Sequence, residues 1–248
     1  MGAAGLHEMS PIGPVAMRPH RALVPHLSPE IELRGREARH LLEVLRARPG
    51  DLVTVFDGKG LEGRAVVEAV EAGILRLRLE QSWEVSREVG VPVELYVALL
   101  KGDALADVVR AATELGVTRI VPTITTHSVA KEMGGNKLER LRRVAVEAAK
   151  QSGRTVVPVV AEPIPLKQIP QVEQGFVAHV GSELRVREVL EPGKPISLAT
   201  GPEGGFSPQE VDFLVGRGFQ PVTLGRRILR AETAPLALLA LVTAGEGL

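Results

Sequence analysis

The run from Ile196 to Ala240, ISLATGPEGGFSPQEVDFLVGRGFQPVTLGRRILRAETAPLALLA, restricts the fold more than any other part of the chain. Its first residues, Ile196-Ser-Leu-Ala199, form a short apolar run that reads as a buried strand. Thr200-Gly-Pro-Glu-Gly-Gly205 is too dense in Gly and Pro for anything but a tightly bent loop. Ser207-Pro-Gln-Glu210 is a capping box with Pro at the first helical position, which predicts a helix from Pro208 until Gly216 and Gly218 stop it. Pro221-Val-Thr-Leu224 reads as a second strand broken by Gly225, and Arg226 to Glu232 as a loop. Thr233 is a candidate N-cap for a last, very apolar helix carrying Leu236, Leu238, Leu239, Leu241 and Val242.

Strand, Gly-rich loop, helix, strand, polar loop, helix is the grammar of an open α/β sheet, in which ligands sit beyond the carboxyl ends of the strands. Both irregular loops fall there, and their glycines let backbone N–H and C=O groups approach a ligand with no Cβ in the way. Two ordinary turns would account for the same composition. Glu203 would repel a phosphate, and the chain has no G-x-x-x-x-G-K-[ST] pattern. A neutral or cationic small molecule, held largely by backbone groups, suits such a loop better.

The rest of the chain divides in two. Met1 to Ala16 is rich in small residues and Pro and lacks the basic start and apolar centre of a signal peptide, so residues 1–16 are expected to be a disordered or appended tail, with Met17 as a start. Residues 17–86 read as a small β-rich domain. Arg21-Ala-Leu-Val24 and Ile31-Glu-Leu33 are strand candidates, Arg36 to Leu45 has helical spacing, and Asp51 to Phe56 and Leu61 to Val70 form a hairpin around Asp57-Gly-Lys-Gly60. Ile74 to Leu79 alternates apolar and charged residues, and closely spaced strands around one helix predict a small barrel. A charged linker over Trp83 to Val91 leads into residues 87–248. There Val93 to Leu100 predicts a strand, Ala104 to Leu115 a helix, Arg119 to Pro122 a strand, and Asn136-Lys-Leu-Glu139 a capping box opening a helix to Ser152. Val156 to Val160 and Phe176 to Val180 are further strands.

Net charge is zero and argues neither for nor against nucleic acid, but the charge is unevenly spread. Seven arginines between Arg18 and Arg48 face four glutamates, and six basic residues between Lys137 and Arg154 face two. Such local excess suits phosphate contacts, with Arg21, Arg39, His40, Arg46, Arg143 and Arg154 as candidate RNA contacts; a solvated, salt-bridged helix face would look the same. There is no cysteine, hence no disulfide, thiolate metal site or thiol nucleophile. Methylation of a pyrimidine at C5, which generally begins with addition of a cysteine to C6, is thereby excluded. His127 and His179 are isolated, and no residue set calls for a metal. No apolar run reaches transmembrane length, so a cytoplasmic protein is expected.

GPEGGFSPQE followed by LGRRILRAETA resembles the carboxy-terminal motifs of the bacterial family that methylates N3 of a uridine in small-subunit ribosomal RNA. KGDALADVVRAATELGV, EAAKQSGR and, nearer the start, HLLEVLRARPGDLVTVFDGKG are similar to that family's pattern too, so the likeness covers nearly everything after Met17. It departs at His127, where the family commonly has Arg. The resemblance implies an α/β fold of the SPOUT class, a trefoil-knotted parallel-sheet domain preceded by a PUA-like β-barrel. It also implies S-adenosylmethionine, bent into the knot crevice, and a homodimer acting on 16S ribosomal RNA or the small subunit. The cofactor residues it implies are Val180 and Gly181, then Thr200, Gly201, Pro202, Glu203 and Gly204. A second set follows in Leu224, Gly225, Ile228, Leu229, Arg230, Thr233 and Ala234. Arg230 is the candidate to stabilise charge on a uracil oxygen, and Glu232 to accept the N3 proton or to orient Arg230, although an Arg230–Glu232 or Arg230–Glu203 pair that fixes the loop would serve structure alone. A non-catalytic RNA-binding assembly factor is the alternative, but it would have no need of intact GPEGG and ILRAETA loops.

Overall fold

The computed structural model describes residues 20–244. The expected tail, the Met17 start and Arg18 lie outside the described residues.

The first sheet contains β1 (Arg21–Leu23), β2 (Glu30–Leu33), β3 (Leu52–Phe56), β4 (Leu61–Glu71) and β5 (Ile74–Glu84) in the order β1-β3-β4-β5-β2. The register of β3, β4 and β5 is antiparallel, while β1 joins β3 in parallel. Two register shifts in the β4–β5 ladder let these long strands curl. No pairing joins β1 to β2 among the described residues, so the expected barrel is a curled sheet rather than one closed by hydrogen bonds. Helix α1 (Gly35–Arg39) runs directly into a π-helical turn, His40–Val44, and plugs the curl with Ala38 and Leu41. Alternating residues of the strands (Val53 and Val55, Ala65 and Val67, Leu75 and Leu77) meet that plug.

The second sheet is wholly parallel, with the order β12-β10-β11-β6-β7-β8 and β9 added beside β7. These are β6 (Val93–Ala98), β7 (Arg119–Ile124), β8 (Val159–Val160), β9 (Ile164–Pro165), β10 (Gly175–Ala178), β11 (Ile196–Thr200) and β12 (Phe219–Val222). Helices α2 (Ala104–Glu114), α3 (Gly135–Ser152), α4 (Val186–Val189), α5 (Pro208–Gly216) and α6 (Thr233–Thr243) cover it. The central strands β6 and β11 are buried on both faces and mostly apolar, apart from Glu94, which is partly exposed and pairs with Arg119, and the buried Ser197 and Thr200. Two apolar clusters sit on opposite sides of this sheet, one around Leu95, Leu105, Leu141 and Leu238, the other around Tyr96, Leu214 and Phe219. None of the helices described is long and apolar enough to cross a membrane.

The capping box at Ser207 is present: Ser207 Oγ accepts from the Glu210 N–H at 3.3 Å and the Glu210 carboxylate accepts from the Ser207 N–H at 2.9 Å. The other two expected caps are not. Helix α3 begins at Gly135 behind Gly134, with no side-chain cap, because two glycines let the backbone turn before Asn136 is reached. At α6 the N-cap is Glu232, and the carbonyl of Arg230 accepts from the N–H groups of Thr233 (2.9 Å) and Ala234 (3.0 Å) in place of a side chain.

Candidate active site

The carboxyl ends of β6, β10, β11 and β12 converge on a cavity of about 890 Å³. The Thr200–Phe206 turn forms one wall and Leu224–Glu232 the other, with Ala178, His179 and Val180 between them and Lys101 and Ala104 at the start of α2. Ala234, in the first turn of α6, closes the base. Of the residues that the sequence nominated, Thr200, Gly201, Pro202, Glu203, Gly204, Leu224, Gly225, Ile228, Leu229, Arg230, Glu232, Val180 and Ala234 line this space.

Two do not. Gly181, at φ +95°, turns the chain away behind Val180 toward Ser182, whose hydroxyl donates to the Pro221 carbonyl. Thr233 is exposed at the first position of α6, its N–H taken by Arg230. Lys101, Ala104, Ala178, Gly205, Phe206, Arg226, Arg227 and Ala231 were missed. A signal existed for Lys101-Gly-Asp103, which directly follows a strand and therefore falls at the ligand end of the sheet.

The glycines have distinct reasons. A Cβ at Gly201 would come within 3.1 Å of the Gly205 carbonyl carbon and the Phe206 nitrogen, so the turn closes on itself only without one. Gly205 (φ +71°) and Gly225 (φ +106°) hold left-handed backbone at the two hinges. The turn is tied outward at three points. Glu203 Oε1 accepts from the Lys101 N–H at 3.2 Å, His127 Nδ1 lies 3.1 Å from the Gly205 carbonyl, and Glu210 Oε1 accepts from the N–H (2.7 Å) and hydroxyl (3.1 Å) of Thr126. Burial pushes the Glu210 carboxyl up, but the N–H groups of Ser207 and Thr126, with their hydroxyls, outweigh it and leave the group below its ordinary range.

Thr200, one of the lining residues, has a buried hydroxyl with no protein partner, Oγ1. A hydroxyl left in this way costs roughly 1–3 kcal/mol unless something else bonds to it. Leu224, Ile228, Leu229 and Phe206 give the cavity apolar lining, and its charged lining is Glu203 and Glu232 with Lys101, Arg226, Arg227 and Arg230. An adenosine carrying an amino-acid tail fits this mixture: apolar walls for a ring, backbone groups for polar edges, and side chains of both signs for a sulfonium, an ammonium and a carboxylate. Among the described residues no cluster of three or more His, Asp or Glu could hold a metal.

Arg230 and Glu232 form a loose pair at 3.8 Å, with the guanidinium side chain 86% exposed. The candidate RNA contacts separate into two groups. Arg39, Arg46 and Arg143 are exposed and His40 is partly exposed. Arg21 and Arg154 are not available: Arg21 pairs with the buried Glu62 at 2.5 Å and stacks on Phe56, and Arg154 is buried against Glu88 and the carbonyls of Thr113 and Val117. A run of basic residues does not disclose which of them is enclosed by a neighbouring domain.

Family profiles described as an RNA methyltransferase domain and an RNA methyltransferase PUA domain match residues 87–243 and 33–80. The ribosomal RNA small subunit methyltransferase E of Synechocystis is 38% identical over 223 residues, covering 86% of this chain and 73% of its own. The chain belongs to this methyltransferase family. The Bacillus subtilis member is 30% identical over 87% of this chain and 90% of its own. Among solved structures, the Neisseria gonorrhoeae member bound to S-adenosylmethionine superposes with a TM-score of 0.83 at 31% identity, covering 91% of this chain and 97% of that one. A Legionella pneumophila methyltransferase in complex with the same cofactor gives 0.86 at 29% identity, over 92% and 98%. The α/β fold with a parallel-sheet domain behind a PUA-like domain is thus that of the SPOUT methyltransferases in this family.

Proposed function

We propose that this protein transfers the methyl group of S-adenosylmethionine to N3 of one uridine in 16S ribosomal RNA, in the cytoplasm, as a homodimer. The observation that carries the reading is the cavity between Thr200–Phe206 and Leu224–Glu232, lined by Thr200, whose buried hydroxyl has no protein partner. In this reading the two loops are the halves of the knot crevice, residues 17–86 hold RNA and residues 87–248 hold donor and base. S-adenosylmethionine supplies a methyl carbon made electrophilic by its sulfonium, whose S–C bonding pair returns to sulfur on transfer.

What the chain itself must do is bind, align and remove a proton. Backbone groups of Gly201–Gly205 and Leu224–Leu229 hold the donor. Arg230, exposed until RNA covers it, balances negative charge on a uracil oxygen as N3 loses its proton. Glu232 orients Arg230. Arg39, His40, Arg46 and Arg143 grip the RNA backbone, and the target base leaves its stack to reach the cavity. The exposed Ile228 (86%), Val180 (77%) and Leu241 (51%) beside the cavity and on α6 suit burial against a second copy, although Leu238, Leu239 and Val242 of the same helix pack within their own chain.

The test is primer extension across small-subunit RNA incubated with protein and donor. A methyl on N3 blocks Watson–Crick pairing, so extension should stop at one uridine. Incorporation of methyl without a stop would place it on another atom, and absence of donor binding by calorimetry would leave an RNA-binding assembly factor instead.

A further inference from the structure

The charged residues that line the cavity are not equivalent. On the Leu224–Glu232 wall, Arg230 and Glu232 face each other in a loose pair at 3.8 Å, and Arg226 and Arg227 make no ion pair among the described residues. Lys101 and Glu203, toward the other wall, are joined by a bond of a different kind: Glu203 Oε1 accepts from the main-chain N–H of Lys101 at 3.2 Å. That bond uses neither the lysine ammonium nor the second carboxylate oxygen. Nζ of Lys101 and Oε2 of Glu203 have no protein partner among the described residues, and both side chains are exposed.

The main chain under Lys101 is fixed on both sides. Its N–H goes to Glu203, and its carbonyl accepts from the Ala104 N–H at 3.3 Å, closing a turn that uses the left-handed backbone of Gly102 (φ +57°). Asp103 is tied from outside by Arg140 of α3 at 2.5 Å. Two opposite charges from loops 102 residues apart therefore start one hydrogen bond from each other, yet they do not pair. Such an arrangement suits a ligand that bears both signs close together. An α-amino acid is that ligand, since its ammonium and carboxylate share one carbon, and each forms its strongest hydrogen bond with a partner of opposite charge.

We propose that Lys101 and Glu203 read the amino-acid end of the methyl donor, Lys101 Nζ donating to its carboxylate and Glu203 Oε2 accepting from its ammonium. This deepens the methyltransferase reading above and rests on it. The nucleoside end then takes the apolar part of the cavity, at Leu224, Ile228 and Leu229. Neither residue touches the methyl that is transferred. They determine specificity: the site selects a nucleoside that carries a complete amino acid over one with the same sulfur and a truncated tail.

Calorimetry with three ligands tests it: S-adenosylhomocysteine, which has the whole tail; decarboxylated S-adenosylmethionine, which keeps only the ammonium; and 5′-methylthioadenosine, which has neither charge. Wild type should bind S-adenosylhomocysteine at least about tenfold more tightly than 5′-methylthioadenosine. K101M keeps the apolar stem and should lose about tenfold for S-adenosylhomocysteine without weakening the other two, and K101R should retain most of the wild-type affinity. E203Q leaves an amide oxygen for the Lys101 N–H and should lose about tenfold for the two ligands that carry the ammonium, with 5′-methylthioadenosine unchanged. A loss shared by all three ligands would mean that these residues only shape the cavity, and full affinity of K101M for S-adenosylhomocysteine would place the carboxylate elsewhere; either overturns the proposal. If wild type binds all three alike, the assignment of Lys101 and Glu203 fails alone. If it binds none of them, the methyltransferase reading fails and the assignment with it.

Discussion

Thr200 separates stability from binding at the scale of one side chain. Its hydroxyl has no protein partner, so T200V removes an unsatisfied polar atom and should leave the melting temperature of the free protein unchanged or slightly raised. Donor affinity should nevertheless fall about tenfold in calorimetry, the worth of one hydrogen bond to a ligand. A parallel loss of both would show that the hydroxyl serves the fold. Arg230 is the opposite case. An ion pair at 3.8 Å with an 86% exposed guanidinium contributes little to folding, so R230A should melt like the wild type. Its methyl-transfer rate should drop about 100-fold with donor affinity intact. Both residues were legible in the sequence because Thr200 ends a strand just before a Gly- and Pro-dense turn and Arg230 sits in the loop after Gly225. The contact of His127 with Gly205 was not legible in that way: it crosses 78 residues, and nothing local marks which loop a β-strand's end will meet.

Helix α5 shows what a motif of four residues can and cannot announce. Its start at Pro208 follows from Ser207 and Glu210 alone, but a capping box requires only one carboxylate oxygen, and the second one of Glu210 reaches Thr126. The element is thereby both a helix start and a brace between the loops after β7 and β11. Its pH dependence follows from the lowered carboxyl. A group whose folded pKa lies below its unfolded value contributes stability that is complete above the unfolded value and is lost as pH falls through the folded one. Wild type should therefore lose an increment of melting temperature below the usual carboxylate range that E210Q, lower already at neutral pH, does not lose. S207A, which removes only the cap, should cost about 1 kcal/mol at neutral pH in denaturant unfolding. The helices whose starts were misjudged had no such reciprocal pair: Asn136 lies past two glycines, and Thr233 yields to the Arg230 carbonyl.

At the scale of the whole molecule, the two sheets are joined by charge enclosed between them. Arg21 reaches Glu62 and the carbonyl of Arg154 (2.8 Å), Arg87 reaches Glu62 (3.4 Å) and the carbonyl of Gly153 (2.8 Å), and Lys150 of α3 meets Glu37 of α1 at 3.0 Å. Composition identified these residues as basic, and sheet order decided which were buried; no local pattern states that β11 lies beside β6, about a hundred positions earlier. The cost of charge in such a place falls on whoever removes one partner. R154M would strand the Glu88 carboxylate, 16% exposed, and two buried carbonyls, and should destabilise the protein by about 3–5 kcal/mol. R154M with E88L, which removes the stranded charge as well, should recover much of that loss. The joint also fixes Arg39 and Arg46 on one sheet's side relative to Arg143 on the other. In protein that remains folded, K150M, which breaks the contact with Glu37 across that joint, should therefore raise KM for RNA while donor affinity holds, because the cavity lies wholly within residues 101–234. Equal effects on RNA and donor would mean that the joint supports the cavity itself, and an unchanged melting temperature in K150M would mean that the Lys150–Glu37 pair is not what holds the two sheets together.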